Sequence, residues 1–169
     1  MDTVFFPPRP LREVRGEVLA LDLVRAYTAR DWAAGQDLIA ELDGAMRALT
    51  DPAGGLPLYT AAREALADLF EDELTALDVP PYDPASRIPT ALLAAETGLL
   101  LAGTAVAPEV RGALGAFAAG DFAAMVAVST TGWFVVVGLA AAAAGRVRHG
   151  GADAYLAALD LRRTAAAAL

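Results

Sequence analysis

The stretch from Phe122 to Gly145, FAAMVAVSTTGWFVVVGLAAAAAG, runs for 24 residues without a charge and is closed by Arg146-Val147-Arg148-His149. A helix that is apolar on every side must be enclosed, either by other helices or by lipid. Its length exceeds the roughly 20 residues that cross a bilayer, and the arginines behind it suit a cytoplasmic flank. Against a membrane span, its apolar character leans on alanine and glycine, Ser129, Thr130 and Thr131 interrupt it, and Trp133 sits mid-span rather than at an interface. The central helix of a soluble bundle has the same composition, because it too is buried all round. The expectation is a fully apolar central helix over 122–145, with insertion into a membrane as the alternative.

The remaining segments read as helices able to wrap it. Residues 1–10 carry Pro7, Pro8 and Pro10 and read as an extended arm whose Phe5 and Phe6 dock on the body or on a partner. From Leu11 to Ala29, Val14, Val18, Leu21 and Val24 fall at helical spacing. Asp31 is placed to cap a second helix that runs to about Thr50, where Asp51-Pro52-Ala53-Gly54-Gly55 stops it. A third helix covers about Pro57 to Leu77, with Glu64, Asp68, Glu71, Asp72 and Glu73 forming a solvated acidic stripe. Residues 78–85 form a proline-rich connector and a possible subdomain boundary. A fourth helix runs from near Ser86 or Pro89 to about Ala107, a short fifth from Glu109 to Ala119, and a last one from Ala152 to Leu169. The fold class expected is all-α: a single-domain bundle over 11–169 of about seven helices, built from αα-hairpins.

Two joints resemble each other. Ala26-Tyr27-Thr28-Ala29-Arg30-Asp31-Trp32 aligns with Ala116-Phe117-Ala118-Ala119-Gly120-Asp121-Phe122, and Glu-Val-Arg-Gly precedes each, at 13–16 and 109–112. An aromatic, an Asp four residues on and a second aromatic describe a helix end, an N-cap and a clamp across the joint. A further echo, Ala-Leu-Asp-Leu-x-Arg, covers Ala20–Arg25 with Val24 at x and Ala158–Arg163 with Arg162 there. The Gly120-Asp121-Phe122 joint resembles the turn inside tetratricopeptide-type helical pairs and the hairpin that opens many NTF2-like domains. The 34-residue period of the first is missing, and so are the strands of the second, apart from the ambiguous Trp133–Val137. The likeness covers about a tenth of the chain, so no family follows from it.

Charge and composition narrow the function. A net charge of −8 argues against nucleic acid as a partner, since backbone binding needs clustered cations. All 13 basic residues are arginine, and lysine and asparagine are absent, which reads as a GC-rich bacterial genome rather than selection for arginine chemistry. The alanine excess has the same origin and earns little functional weight. The chain has no cysteine, which excludes disulfides and thiolate metal sites and fits a reducing cytoplasm. The N-terminus, MDTVFFPPRPLREV, lacks the apolar run of a secretory signal.

No catalytic signature is found. The lone histidine, His149, sits in an arginine-flanked, glycine-rich segment read as a loop, which is poor ground for a catalytic base. Neither a metal-ligand set nor a cofactor motif is present, so no metal and no cofactor is expected. Glu96, inside ALLAAETGLLLAG, is the notable carboxylate. Burial would raise its pKa unless a cation meets it, and Arg87, Arg111, Arg146 and Arg148 are the available partners. Ser129, Thr130 and Thr131 either bond the carbonyl one turn back or line a pocket with Glu96 and Trp133. The function expected is therefore a non-enzymatic interaction or adaptor protein, cytoplasmic and self-associating, with a homo-oligomer or another protein as partner. The alternatives are a binder of small apolar ligands, or an enzyme, using a core pocket of Glu96, Ser129, Thr130 and Trp133, and a membrane protein inserting 122–145.

Overall fold

The computed structural model describes residues 10–49, 55–77 and 87–168. Phe5 and Phe6 of the expected arm, and the connector at 78–85, lie outside them. The described residues form eight helices: α1 (Leu11–Thr28), α2 (Trp32–Arg47), α3 (Gly55–Ala76), α4 (Arg87–Leu101), α5 (Pro108–Ala118), α6 (Phe122–Val126), α7 (Thr130–His149) and α8 (Ala152–Ala167). The protein is all-α, one helical bundle around one core.

That core is arranged about α7, which touches each of the other seven helices. Every residue from Val136 to Gly145 is buried, and Ala140 to Ala144 have no exposed surface. The alanines therefore set how closely the neighbouring helices approach. α7 is long and apolar enough to cross a membrane, but 72% of its apolar window is enclosed by the protein's own helices. α1 packs most extensively on α3 and also meets α2, α7 and α8. Gly16 makes the α1–α3 approach possible, since a Cβ there would strike the Leu58 carbonyl oxygen.

The apolar stretch is not one helix. Val126 ends α6, the chain breaks over 127–129, and α7 begins with Ser129 as its N-cap, the Oγ accepting the Gly132 N–H at 3.1 Å. A serine hydroxyl satisfying a first-turn N–H favours this restart over continuation. At the other end Gly145 does not stop α7; the helix runs on through the basic residues to His149, whose charges suit a C-terminal dipole. α4 also ends early, at Leu101 rather than near Ala107. The chain turns at Gly103, which lies at φ 87, and Pro108 holds Ala107 extended at φ −56, ψ 149 as it opens α5.

The two similar joints are the same structure. Asp31 and Asp121 cap α2 and α6 by accepting the Ala34 and Ala124 N–H groups at 3.1 and 3.0 Å. In both, the Asp N–H returns to a carbonyl five residues back, Ala26 or Ala116, at 2.8 Å, and the preceding residue bonds three back, to Tyr27 or Phe117. This pair of bonds is the Schellman helix ending, which needs a left-handed residue between them. Gly120 supplies it at φ 87, and Arg30 adopts it at φ 59 despite its side chain. The aromatics clamp each joint, with ring centroids 6.1 Å apart for Tyr27 and Trp32 and 5.7 Å for Phe117 and Phe122.

Candidate functional site

Glu96 forms a structural ion pair. Its Oε2 accepts from Arg146 Nε at 2.8 Å, and the same guanidinium donates to the Thr28 carbonyl at 3.0 Å. One arginine on α7 thus ties α4 to the end of α1, with both side chains largely shielded from water. Arg146 was one of the four cations the sequence offered.

The other expected site residues lie elsewhere. Trp133 stands near the opposite end of α7 from Arg146, 13 residues away, or roughly 20 Å along a helix axis. Its ring meets Phe134 edge-on at 5.2 Å, and the Arg63 guanidinium lies 4.5 Å over its face. Trp133 is therefore a contact with α3, and it shares no cavity with Glu96. Thr130 is exposed at the first position of α7, while Ser129 caps the helix. Thr131 does not bond back along its helix; its hydroxyl donates to Asp43 Oδ1 on α2 at 3.2 Å.

Ser129 and Thr131 do border a cleft, built from a different set of residues. It measures about 340 Å³ and lies between the end of α1, the start of α2, the α4–α5 connection and the starts of α5 and α7. Trp32, Ile39, Val106, Val110 and Val135 give it apolar walls, and Tyr27 and Thr104 bring hydroxyl groups. The Tyr27 ring is held between Gly35 and Gly138, where any side chain would collide with it. Burial pushes its phenol pKa up, which keeps it protonated. Thr104 Oγ1 is buried without a hydrogen-bond partner among the described residues. Larger grooves, of about 380, 510 and 590 Å³, are lined mainly by charged and small side chains.

A second polar cluster was missed in the sequence. Glu73, expected on a solvated stripe, is 2% exposed and meets Arg148 Nη1 at 3.1 Å and His149 Nε2 at 3.7 Å. The signal was present: Leu66, Leu69, Phe70 and Leu74 form the buried face of α3, and position 73 falls on it. His149 is the last residue of α7 rather than part of a loop, and it stacks on Tyr155 with centroids 5.0 Å apart. Tyr155 sits against Gly145, whose lack of a side chain makes room for the ring, and its hydroxyl is buried. Burial first, and then the charge of Glu73, raises its phenol pKa. No group of three or more Asp, Glu or His able to hold a metal ion occurs among the described residues.

Between Ala91 and Leu99 the outer side of α4 is apolar. Ala91, Leu92, Ala94, Ala95, Gly98 and Leu99 are all exposed. At 100° per residue they occupy one arc of about 160°. Leu92 and Leu99 are 50% and 48% exposed, and nothing lies within 4 Å of a Cβ built on Gly98. No protein-family model, curated protein or solved structure matches this chain.

Proposed function

We propose that this is a non-enzymatic helical interaction protein that self-associates, two copies meeting across the outer face of α4. The observation that carries the reading is that face: over 91–99, five exposed apolar side chains and one glycine, with neither a charge nor a side-chain hydrogen-bonding group among them. Contiguous apolar surface on an exposed helix marks an interaction site more often than a solvated one. A second copy is the occupant that fits best, because the face is complementary to itself. Leu92 and Leu99 project seven residues apart, and Ala95 and Gly98 leave hollows between them. Under a twofold axis each leucine faces the other copy's small residues, the isologous arrangement of most dimers. Two bodies of net charge −8 repel each other over most of their surface, and a charge-free patch is where that repulsion is least. Each half-exposed leucine adds about 1 kcal/mol on burial, half of what a fully transferred one contributes.

Light scattering over a wide concentration range tests the reading. The chain of 17.4 kDa should show twice that mass, and Leu92→Glu with Leu99→Glu should return it to monomer with its helical circular dichroism intact. A monomeric wild type at every concentration, or an undiminished dimer in the double variant, would refute it.

A further inference from the structure

We infer that Arg30 is a positioning residue for α4: its guanidinium closes the C-terminal end of that helix and, with Arg146, clips it to the end of α1. The two similar joints supply the comparison. Gly120 fills the left-handed position of one at φ 87, and Arg30 fills the other at φ 59. Glycine adopts that backbone without strain and a residue with a side chain does not, so local structure alone favours glycine at both. What sets Arg30 apart is where its side chain goes. Its Nη2 donates to the Ala102 carbonyl at 3.1 Å. Ala102 follows Leu101, the last residue of α4, where carbonyls have no acceptor role left within the helix. α4 has no basic residue in its own last turn. Arg30 brings it both a donor and the positive charge that a helix C-terminus favours. Gly120 has no side chain with which to do the same.

Arg146 makes the other half of the clip, donating to Glu96 on α4 and to the Thr28 carbonyl that ends α1. Thr28 and Arg30 are two residues apart, so both links run from one corner of the molecule to one helix. They reach it at Glu96 and at Ala102, six residues on, or about 9 Å along a helix axis. Between residues 90 and 101 the buried apolar side chains of α4 are Leu93 and Leu100. Apolar burial is non-directional, whereas two hydrogen-bonded points fix both the place and the tilt of the helix. The consequence rests on the reading of the outer face as a self-association surface, because that face pairs with a second copy at one presentation only. The clip itself does not rest on it.

Hydrogen exchange read by mass spectrometry tests the clip alone when it is done with Leu92→Glu and Leu99→Glu present, where association through α4 is removed. Arg30→Gly should keep the helical circular dichroism, yet speed exchange of the α4 amides several-fold while those of α3 and α7 stay as they were. Arg30→Asn, which also tolerates the left-handed backbone and is too short to reach Ala102, should behave alike. Arg30→Lys, which keeps a cation and a donor on a long stem, should recover part of the protection. In the otherwise native chain, Arg30→Gly should weaken the dimer several-fold by light scattering. Unchanged α4 exchange in both Arg30→Gly and Arg30→Asn, or a change spread evenly over every helix, would overturn the role given to Arg30. Faster α4 exchange with an undiminished dimer would overturn its link to the outer face. A monomeric native chain would refute the self-association reading and leave the exchange result to decide the clip.

Discussion

Gly16 and Gly112 end the two copies of Glu-Val-Arg-Gly, and the structure gives them opposite roles. Gly16 is buried where α1 crosses α3, and a Cβ there meets the Leu58 backbone; Gly112 is exposed in α5 with open space around it. Gly16→Ala should therefore cost about 1–3 kcal/mol through overpacking. Gly112→Ala should gain up to about 1 kcal/mol, the difference between the two residues in a helix interior. Chemical denaturation of the two variants checks both signs. The same four letters could not reveal this, because what differs is the helix lying opposite. Glu96 was more legible: a lone carboxylate among core residues requires a cation, and four arginines were available to supply it. Glu73 was less so: its position on the apolar face of α3 was the signal, masked by acidic neighbours that do face water.

At the scale of elements, the Ala-Leu-Asp-Leu-x-Arg echo has a physical meaning that the sequence alone did not disclose. The two copies face each other on α1 and α8, with Asp22 bonded to Arg163 at 2.7 Å and Arg25 to Asp160 at 2.8 Å. Each motif gives its acid to the other's arginine. These side chains are 20–52% exposed, so each pair is worth less than about 1 kcal/mol. Asp22→Arg should destabilise the fold modestly, and adding Arg163→Asp should recover most of the loss, a coupling readable in a double-mutant cycle. The capped joints were legible in full, since an Asp flanked by aromatics encodes its own local bonds. The break at 127–129 was not: an unbroken apolar run hides an N-cap, because serine is both a tolerable helix residue and a good cap. The alanines of α7 have no room to grow, and Ala142→Leu should cost about 1–3 kcal/mol in a thermal or denaturant melt.

For the whole molecule, two buried phenols set an alkaline limit. Tyr27 and Tyr155 both have folded pKa values raised above the ordinary 10.0, so the folded state holds two protons that the unfolded state releases above that pH. Their contribution is fully present below about pH 10 and is lost as pH rises from there toward the folded values. Well above pH 10 stability should fall by about 2.7 kcal/mol per unit, 1.36 for each tyrosine. Tyr155→Phe should halve that slope in urea titrations between pH 9 and 12. The all-helical bundle around one apolar helix was legible in the sequence because helical spacing recurs in segment after segment. The exposed face of α4 was not, since its apolar residues read equally well as core until their neighbours are known. Pairing across that face can be tested directly, because the chain has no cysteine. Single cysteines placed in turn at Ala91, Ala95 and Gly98, with the exposed α2 residue Ala40 as control, should differ under mild oxidation. A disulfide needs Cα atoms within about 7 Å, which only positions near a twofold axis satisfy. Self-association through α4 should give a covalent dimer from at least one α4 position and none from Ala40→Cys; monomer at all three α4 positions, or equal cross-linking at the control, would rule it out.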